Sequence, residues 1–275
     1  MGKFDGILIC TDLDHTLLKD DKSVSDENKH AIEYFMAEGG YFTFATGRSL
    51  KGIDFLISQI KPNAPIVMFN GAAVYDPAGD EIIWETFLDE NAKNVLEMVE
   101  NNLPFAGIEV CAKSGVFVTR GNEILRRQLS FEKIPEVYKH FSDVPAPWRK
   151  ALFIQEADKL EYVRSAIAES PYAESYSFVQ SDPCYYEILP KDASKGEGLL
   201  KVAEILGIPR ARTIGIGDNE NDLTLVRDAG IGVAVANAIP ELLDAADFIS
   251  TNNNMHSIST VIYGIEQNII EFQEA

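Results

Sequence analysis

The sequence predicts an α/β protein, with a Rossmann-like, doubly wound parallel sheet as its core and an inserted α+β cap domain. Short apolar runs of the length of buried strands alternate with amphipathic helical stretches near both ends of the chain. Between these regions the pattern changes to hairpins and separate helices. The apolar run at residues 6–11 also ends abruptly in two carboxylates, Asp12 and Asp14. We therefore expect a core domain of residues 1–84 and 190–275, and a cap domain of residues 85–189.

The first core segment predicts strands that alternate with helices. A helix begins at Ser25, a favoured N-cap residue, has acidic residues in its first turn, and ends at Gly39-Gly40. Asn70-Gly71 predicts a tight turn. The predicted strands cover residues 6–11, 41–45 and 66–69, with a second helix at 50–60 and a hairpin of residues 74–75 and 82–84. Because helices join the first three strands, we expect these strands to be parallel.

The middle of the chain predicts the smaller α+β domain. Lys113-Ser114-Gly115 separates two β-prone runs and predicts a hairpin, whereas Pro135, Pro145 and Pro147 mark a looser stretch. The predicted strands are residues 108–111, 116–119, 151–155, 176–180 and 185–189, and the predicted helices are residues 89–101, 123–130 and 158–168.

The alternating pattern then returns. A helix at 194–206 ends at Gly207 and Pro209. After it we predict strands at 213–216, 232–235 and 248–249, separated by helices that end near residues 229 and 245, and a terminal helix.

Composition excludes several classes of protein. A net charge of −19 leaves no basic stripe for nucleic acid. Hydrophobic residues make up 46% of the chain, yet no apolar run approaches the roughly 20 residues that span a membrane. Three widely separated cysteines lack metal-ligand spacing and, with no signal-peptide pattern, indicate a cytoplasmic protein. We expect a monomer or a weak homo-oligomer.

Polar side chains follow four of the predicted strands, and one lysine begins a later helix. They are Asp12 and Asp14, Thr46-Gly47-Arg48, Asn70, and Asp218 with Asn221 and Asp222, together with Lys195. The carboxyl ends of parallel strands share one edge of a sheet, so these groups can converge. Clustered carboxylates repel unless a cation lies between them, and oxygen ligands favour Mg²⁺. A hydroxyl, a lysine and loop amides suit a phosphoryl group, which indicates a carboxylate nucleophile that attacks phosphorus.

These residues resemble the four motifs of the haloacid dehalogenase superfamily, in the family's order. The motifs are Asp12-Leu13-Asp14-His15-Thr16-Leu17, Thr46-Gly47-Arg48, Lys195-Gly196 and Gly217-Asp218-Asn219-Glu220-Asn221-Asp222. The insertion after Asn70-Gly71-Ala72 resembles the large C2-type cap of the Cof-like sugar-phosphate phosphatases. The resemblance covers nearly the whole chain.

The resemblance implies roles for the charged residues. Asp12 is the nucleophile and a metal ligand, and Asp14 is the general acid/base, whose backbone carbonyl also binds Mg²⁺. Asp218 binds the metal directly, and Asp222 orients the metal's ligands. Lys195 neutralises charge on the nucleophile and on the transferring group.

The resemblance also implies a phosphate site. Thr46, Asn221 and the backbone amides of Leu13 and Gly47 hold phosphate oxygens. Asn70 and Arg48 face the phosphate or the leaving group, although Arg48 alone could equally be the structural partner of a carboxylate.

Some positions depart from the family pattern. His15 stands where the family usually has glycine, and we favour a structural role for it. Residues 235–237 and 252–256 also differ from the usual motifs. In the cap, the candidate substrate contacts are Arg120, Trp148, Arg149, Lys150, Tyr185, Tyr186 and Glu187.

The sequence thus predicts an Mg²⁺-dependent phosphatase for phosphomonoesters of small metabolites, sugar phosphates above all, with an aspartyl-phosphate intermediate. Two alternatives stay open: a phosphomutase of the same superfamily and a non-catalytic metabolite sensor. The cap has no second dense cluster of cations, as a mutase would need. A sensor would not need both a nucleophile and an acid/base.

Overall fold

The computed structural model describes residues 2–272, which fall into two compact units. The first unit comprises residues 2–47, 55–84 and 194–272, and the second comprises residues 48–54 and 85–193. Within the described residues, no helix is long and apolar enough to cross a membrane.

A five-stranded parallel sheet forms the centre of the first unit, in the order β13-β12-β11-β1-β2. Its strands are β1 (Leu8–Thr11), β2 (Tyr41–Phe44), β11 (Thr213–Gly217), β12 (Ile231–Val235) and β13 (Phe248–Ser250). The central strands are buried along their whole length, because helices cover both faces of such a sheet. This explains why they read as continuous apolar runs in the sequence.

The helices of this unit match the predicted alternation. They are α1 (Asp26–Ala37), α6 (Lys195–Leu206), α7 (Leu223–Asp228), α8 (Pro240–Ala245) and α9 (Ser257–Glu266); α2 (Leu50–Ile57) crosses the division between the units. Ser25 caps α1 and Ser194 caps α6 through side-chain bonds to backbone amides. Helix α7 lies so close to β11 that a Cβ on Gly215 would stand 2.2 Å from the Leu225 carbonyl oxygen.

The third predicted parallel strand behaves differently from expectation. Strand β3 (Ile66–Met68) pairs antiparallel with β4 (Ala73–Asp76), and β5 (Glu81–Glu85) completes a separate three-stranded sheet. A single parallel bridge, between Ala45 and Val67, relates β3 to the end of β2. The reason is local, because Phe69 and Asn70 both have positive φ and turn the chain back at once into a hairpin.

The second unit is built on a five-stranded sheet in the order β7-β6-β8-β10-β9, with antiparallel pairings throughout. Its strands are β6 (Gly107–Ala112), β7 (Gly115–Arg120), β8 (Trp148–Ile154), β9 (Ser177–Asp182) and β10 (Tyr185–Leu189), and its helices are α3 (Ala92–Asn102), α4 (Glu123–Glu132) and α5 (Ala157–Ala168). One face of the sheet packs against α3 and α5 in a hydrophobic core.

That core corrects part of the expectation for substrate contacts in this unit. Trp148 and Tyr186 belong to the hydrophobic core and are buried. The Arg120 guanidinium donates to the carbonyl oxygens of Glu100, Leu103 and Ala106, at 2.9, 2.7 and 2.6 Å. These three side chains therefore stabilise the fold of the unit. A sequence shows that they are large and amphipathic, but it does not show which face of a strand meets the helices.

Candidate active site

The turn that follows β1 carries two of the predicted acidic residues. The Asp12 amide donates to the Ile216 carbonyl at 2.8 Å, which extends the parallel ladder one residue past the strand. The chain then forms a short helical turn at Leu13–Leu17, interrupted by Asp14 with ψ of 129° and His15 with φ of 59°. His15 thus takes the left-handed conformation that glycine adopts most easily. Its ring is about half exposed and lies 3.8 Å from Asp20, so its position is consistent with a structural role.

Four charged residues, from two strand ends and one helix, converge in the first unit. The Lys195 ammonium donates to Asp12 Oδ1 and to Asp222 Oδ1, at 2.5 Å each. Carboxylate oxygens of Asp12, Asp218 and Asp222 all lie within 4.8 Å of one another. We call Asp12, Asp218, Asp222 and Lys195 the acidic cluster. The sequence-based expectation that residues so far apart in the chain converge at one sheet edge is thus met by this geometry.

Burial controls the charge of the acidic cluster. Burial, reinforced by the charge of Asp222, raises the pKa of Asp12 above its ordinary value, and the same two causes raise the pKa of Asp218. Burial opposes the charge of Lys195, but Asp12 and Asp222 more than offset it and raise the pKa of the ammonium. Three carboxylates face one ammonium, so the cluster favours either protons or a further cation.

The Asp222 carboxylate organises the cluster. Its Oδ2 accepts hydrogen bonds from the amides of Asp218 and Asn219, at 2.9 and 3.1 Å, while its Oδ1 accepts from Lys195. Both oxygens are therefore engaged by the protein, and the side chain is fully buried. Asp218 Oδ1 in turn accepts a hydrogen bond from the Thr16 hydroxyl at 2.7 Å. Sequence reasoning missed this role of Thr16, although its place one turn after Asp12 is a usable signal.

An amide pair lies in the same unit. Asn221 Nδ2 donates to Asn70 Oδ1 at 3.0 Å, while Asn70 Nδ2 is buried without a hydrogen-bond partner among the described residues. A Cβ on Gly47 would stand 3.0 Å from that nitrogen. The Thr46 amide donates to the Val67 carbonyl oxygen, and the Thr46 carbonyl oxygen accepts from the Asn70 amide, at 2.9 Å each. Asn70 Nδ2 is thus a buried donor without a partner among the described residues. It lies beside Gly47, where any larger side chain would crowd it.

Two predicted site residues have ionic partners of their own. Lys22, which sequence reasoning missed, donates to Asp14 Oδ1 at 2.9 Å. Arg48 belongs to the second unit, where its guanidinium lies 3.8 Å from Glu132 and stacks near the Phe131 ring. This contact with Glu132 agrees with the alternative that Arg48 is the structural partner of a carboxylate. The Leu13 side chain is buried in the core, so only its backbone is available to a ligand.

The second unit also contains buried charged residues, of which the sequence analysis named Lys150 and Glu187 as candidate substrate contacts but missed Glu109. On the sheet face opposite the hydrophobic core, Lys150 donates to Glu187 at 2.5 Å, and Ser181 donates to the other oxygen of Glu187. Glu109 is 4% exposed, and its Oε2 has no hydrogen-bond partner among the described residues. Burial raises the pKa of Glu109 to about 7. The available signal is a charged residue between apolar or aromatic neighbours in two strands, Glu109 in β6 and Glu187 in β10, which is unusual for a core position.

The fold and the site together define a hydrolase of the phosphatase class. The chain belongs to the haloacid dehalogenase-like hydrolase family, whose model matches residues 9–262. This confirms the resemblance drawn from the four motifs, including its Cof-like character.

Known proteins of similar sequence and structure agree with this assignment. The protein named "Putative phosphatase YxeH" from Bacillus subtilis is 34% identical, over 93% of this chain and 97% of its own. The 5-amino-6-(5-phospho-D-ribitylamino)uracil phosphatase YitU of the same organism is 31% identical, over 92% and 94%. A solved haloacid dehalogenase-like hydrolase from Bacteroides thetaiotaomicron superposes with a TM-score of 0.79 at 25% identity, covering 96% of this chain and all of its own.

Proposed function

We propose that this enzyme is an Mg²⁺-dependent phosphatase that hydrolyses phosphomonoesters of small metabolites through an aspartyl-phosphate on Asp12. The observation that carries the proposal is the acidic cluster, where a buried lysine contacts two of three converging carboxylates. Lys195 holds the Asp12 carboxylate in place, and Asp14 nearby in the chain has a separate partner in Lys22. A protein that only bound a metabolite would need neither a nucleophile nor an acid/base.

The acidic cluster suits a divalent cation. Hard oxygen donors are the ligands that Mg²⁺ prefers, and three carboxylates against one ammonium leave negative charge to be neutralised. Asp12 and Asp218 would supply side-chain oxygens, with the Asp14 backbone carbonyl as a further ligand, while Asp222 keeps its hydrogen bonds and orients the others. The cation would supply charge neutralisation for the phosphoryl group.

Asp12 performs the attack in this proposal. Its carboxylate forms a bond to phosphorus as the bond from phosphorus to the ester oxygen breaks, and Asp14 gives a proton to the departing alcohol. Asp14 then takes a proton from water, which attacks the phosphorus and releases inorganic phosphate and free Asp12. Lys195 holds Asp12 in place and offsets its charge, so that an anionic substrate can approach.

Phosphate oxygens are bound by donors of the first unit. We assign them to Thr46, Asn221 and the backbone amides of Leu13 and Gly47. The unused Asn70 Nδ2 supports this assignment, because a buried amide donor without a partner is costly unless a ligand satisfies it. Arg48 is assigned a positioning role in place of direct substrate contact, because it pairs with Glu132.

The inserted unit and the named substrates of the relatives support a proposal for the substrate class. We propose that residues 85–189 act as the cap domain and select the leaving group. Sugar phosphates and related polyol phosphates are the first candidates, since YitU is named for a phosphorylated ribityl compound.

The test is phosphate release from a panel of phosphate esters, each with Mg²⁺ and with excess EDTA. The panel contains p-nitrophenyl phosphate, sugar phosphates, polyol phosphates, 5-amino-6-(5-phospho-D-ribitylamino)uracil and flavin mononucleotide. We expect Mg²⁺-dependent release that Asp12→Asn abolishes and that Asp244→Asn, at an exposed position in α8, leaves intact. Activity in EDTA would contradict the metal assignment, and an active Asp12→Asn variant would contradict the nucleophile. Release from no compound would favour the mutase or the sensor.

A further inference from the structure

The turn that follows the proposed nucleophile and contains the proposed acid/base has an irregular backbone. With His15 at φ 59° and Asp14 at ψ 129°, the regular ladder of helical hydrogen bonds cannot form through it. The Leu18 amide closes the turn by donating to the Leu13 carbonyl at 2.8 Å. Other carbonyls of this segment need donors from elsewhere, because unsatisfied backbone groups are costly when buried.

Three of those carbonyls accept hydrogen bonds from side chains far along the chain. Asn237 Nδ2 donates to the His15 oxygen at 2.8 Å, and the Ser257 hydroxyl donates to the Thr16 oxygen at 2.8 Å. Asn253 Nδ2 donates to the Leu18 oxygen at 3.1 Å. We call Asn237, Asn253 and Ser257 the turn clamp.

Asn253 is the centre of the turn clamp. Its side chain is buried, and its own amide N–H donates to Asn237 Oδ1 at 2.9 Å. The same Nδ2 also donates to Asp20 Oδ1 at 3.0 Å. An aspartate of the same shape would lose both donors and would place an acceptor against two other acceptors. The position therefore requires an amide.

We propose that Asn253 is a positioning residue for the phosphatase reaction, because the turn clamp fixes the backbone that directly follows Asp14. This inference rests on the proposed function, in which Asp12 attacks and Asp14 transfers protons. A displacement of about 1 Å can cost roughly 100-fold in rate, even when it originates away from the chemistry. Loss of the clamp should therefore act on kcat, and much less on KM.

The experiment compares Asn253→Asp with Asn252→Asp, one residue apart and with the same change of charge. The Asn252 side chain accepts from the Asn254 amide at 3.0 Å as an N-cap, a role that aspartate fills equally well. The substrate is p-nitrophenyl phosphate with Mg²⁺ near neutral pH, and the folded fraction is measured by circular dichroism. We expect Asn253→Asp to lower kcat about 10- to 100-fold with KM nearly unchanged, and Asn252→Asp to match the wild type.

A second variant covers the case in which Asn253→Asp does not fold. Asn237→Ala removes the bond to His15 at an exposed position, and we expect a smaller loss of kcat in the same direction. If kcat per folded molecule equals that of the wild type in the variants that fold, or if KM rises instead, the inference is overturned. If the wild type has no phosphatase activity, the proposed function is wrong and the inference fails with it. If the wild type is active and the variants are unaffected, only the inference is wrong.

Discussion

Replacing Lys195 by methionine removes the ammonium from the acidic cluster while keeping a side chain of similar length. Lys195 is 1% exposed and lies 2.5 Å from oxygens of both Asp12 and Asp222. Without it, the cluster is left with three buried carboxylates within 4.8 Å of one another. We expect Lys195→Met to abolish activity and also to destabilise the first unit.

The size of the destabilisation depends on pH. Breaking a buried ion pair by removing one partner costs about 3–5 kcal/mol, because the remaining charge is left unpaired. At about 2–4 °C per kcal/mol for a domain of this size, the unfolding temperature should fall by roughly 6–20 °C. Because the pKa values of Asp12 and Asp218 are already raised, these carboxyls take up protons in mild acid. The loss should therefore be largest at mildly alkaline pH and smaller in mild acid.

The assay is thermal unfolding in EDTA, followed by the same measurement after addition of Mg²⁺. The control is Lys201→Met, which removes a partly exposed lysine that pairs with the exposed Glu204 on α6, and it should change stability little. Mg²⁺ should restore part of the stability of Lys195→Met, since a cation can replace the missing positive charge. A variant as stable as the wild type in EDTA at alkaline pH would refute the electrostatic account of the cluster.

Two further predictions concern the buried carboxyl groups. Because the pKa values of Asp12 and Asp218 are raised in the folded wild type, these carboxyls stay protonated at pH values where they are ionised in the unfolded chain. In EDTA the free energy of unfolding should therefore fall as pH rises from about 4 through neutrality. Mg²⁺ should restore this lost stability, because it binds the ionised carboxylates. Calorimetry in EDTA and in Mg²⁺ across this pH range measures the unfolding temperature, and an effect of Mg²⁺ that does not change with pH would contradict the prediction. Glu109→Gln should stabilise the protein above neutral pH by up to about 3 kcal/mol, because the pKa of Glu109 is raised to about 7 and its ionised form is destabilising. Urea unfolding in mild acid and in mild alkali measures this, and equal stability of variant and wild type at both would refute it.

The alternation of buried strands and helices was predictable from the sequence, and so was the convergence of Asp12, Asp218 and Asp222. Parallel strands are buried on both faces, so a continuous apolar run predicts such a strand. Their carboxyl ends share one edge of the sheet, so carboxylates that end two such runs are expected to lie close together. Hairpins such as β6 and β7 were also predictable, because their turn residues lie between two β-prone runs.

Other features could be decided only by the tertiary structure. Residues 66–68 have the composition of a parallel strand, yet the positive φ values of Phe69 and Asn70 commit them to an antiparallel hairpin. The burial of Glu109, with Lys150 and Glu187 on the same sheet face, depends on which side of each strand meets the helices. The hydrogen bond from Asn253 to Leu18 joins residues 235 positions apart. Local sequence determines the period and ends of an element, whereas a side chain's partner depends on how distant segments pack against one another.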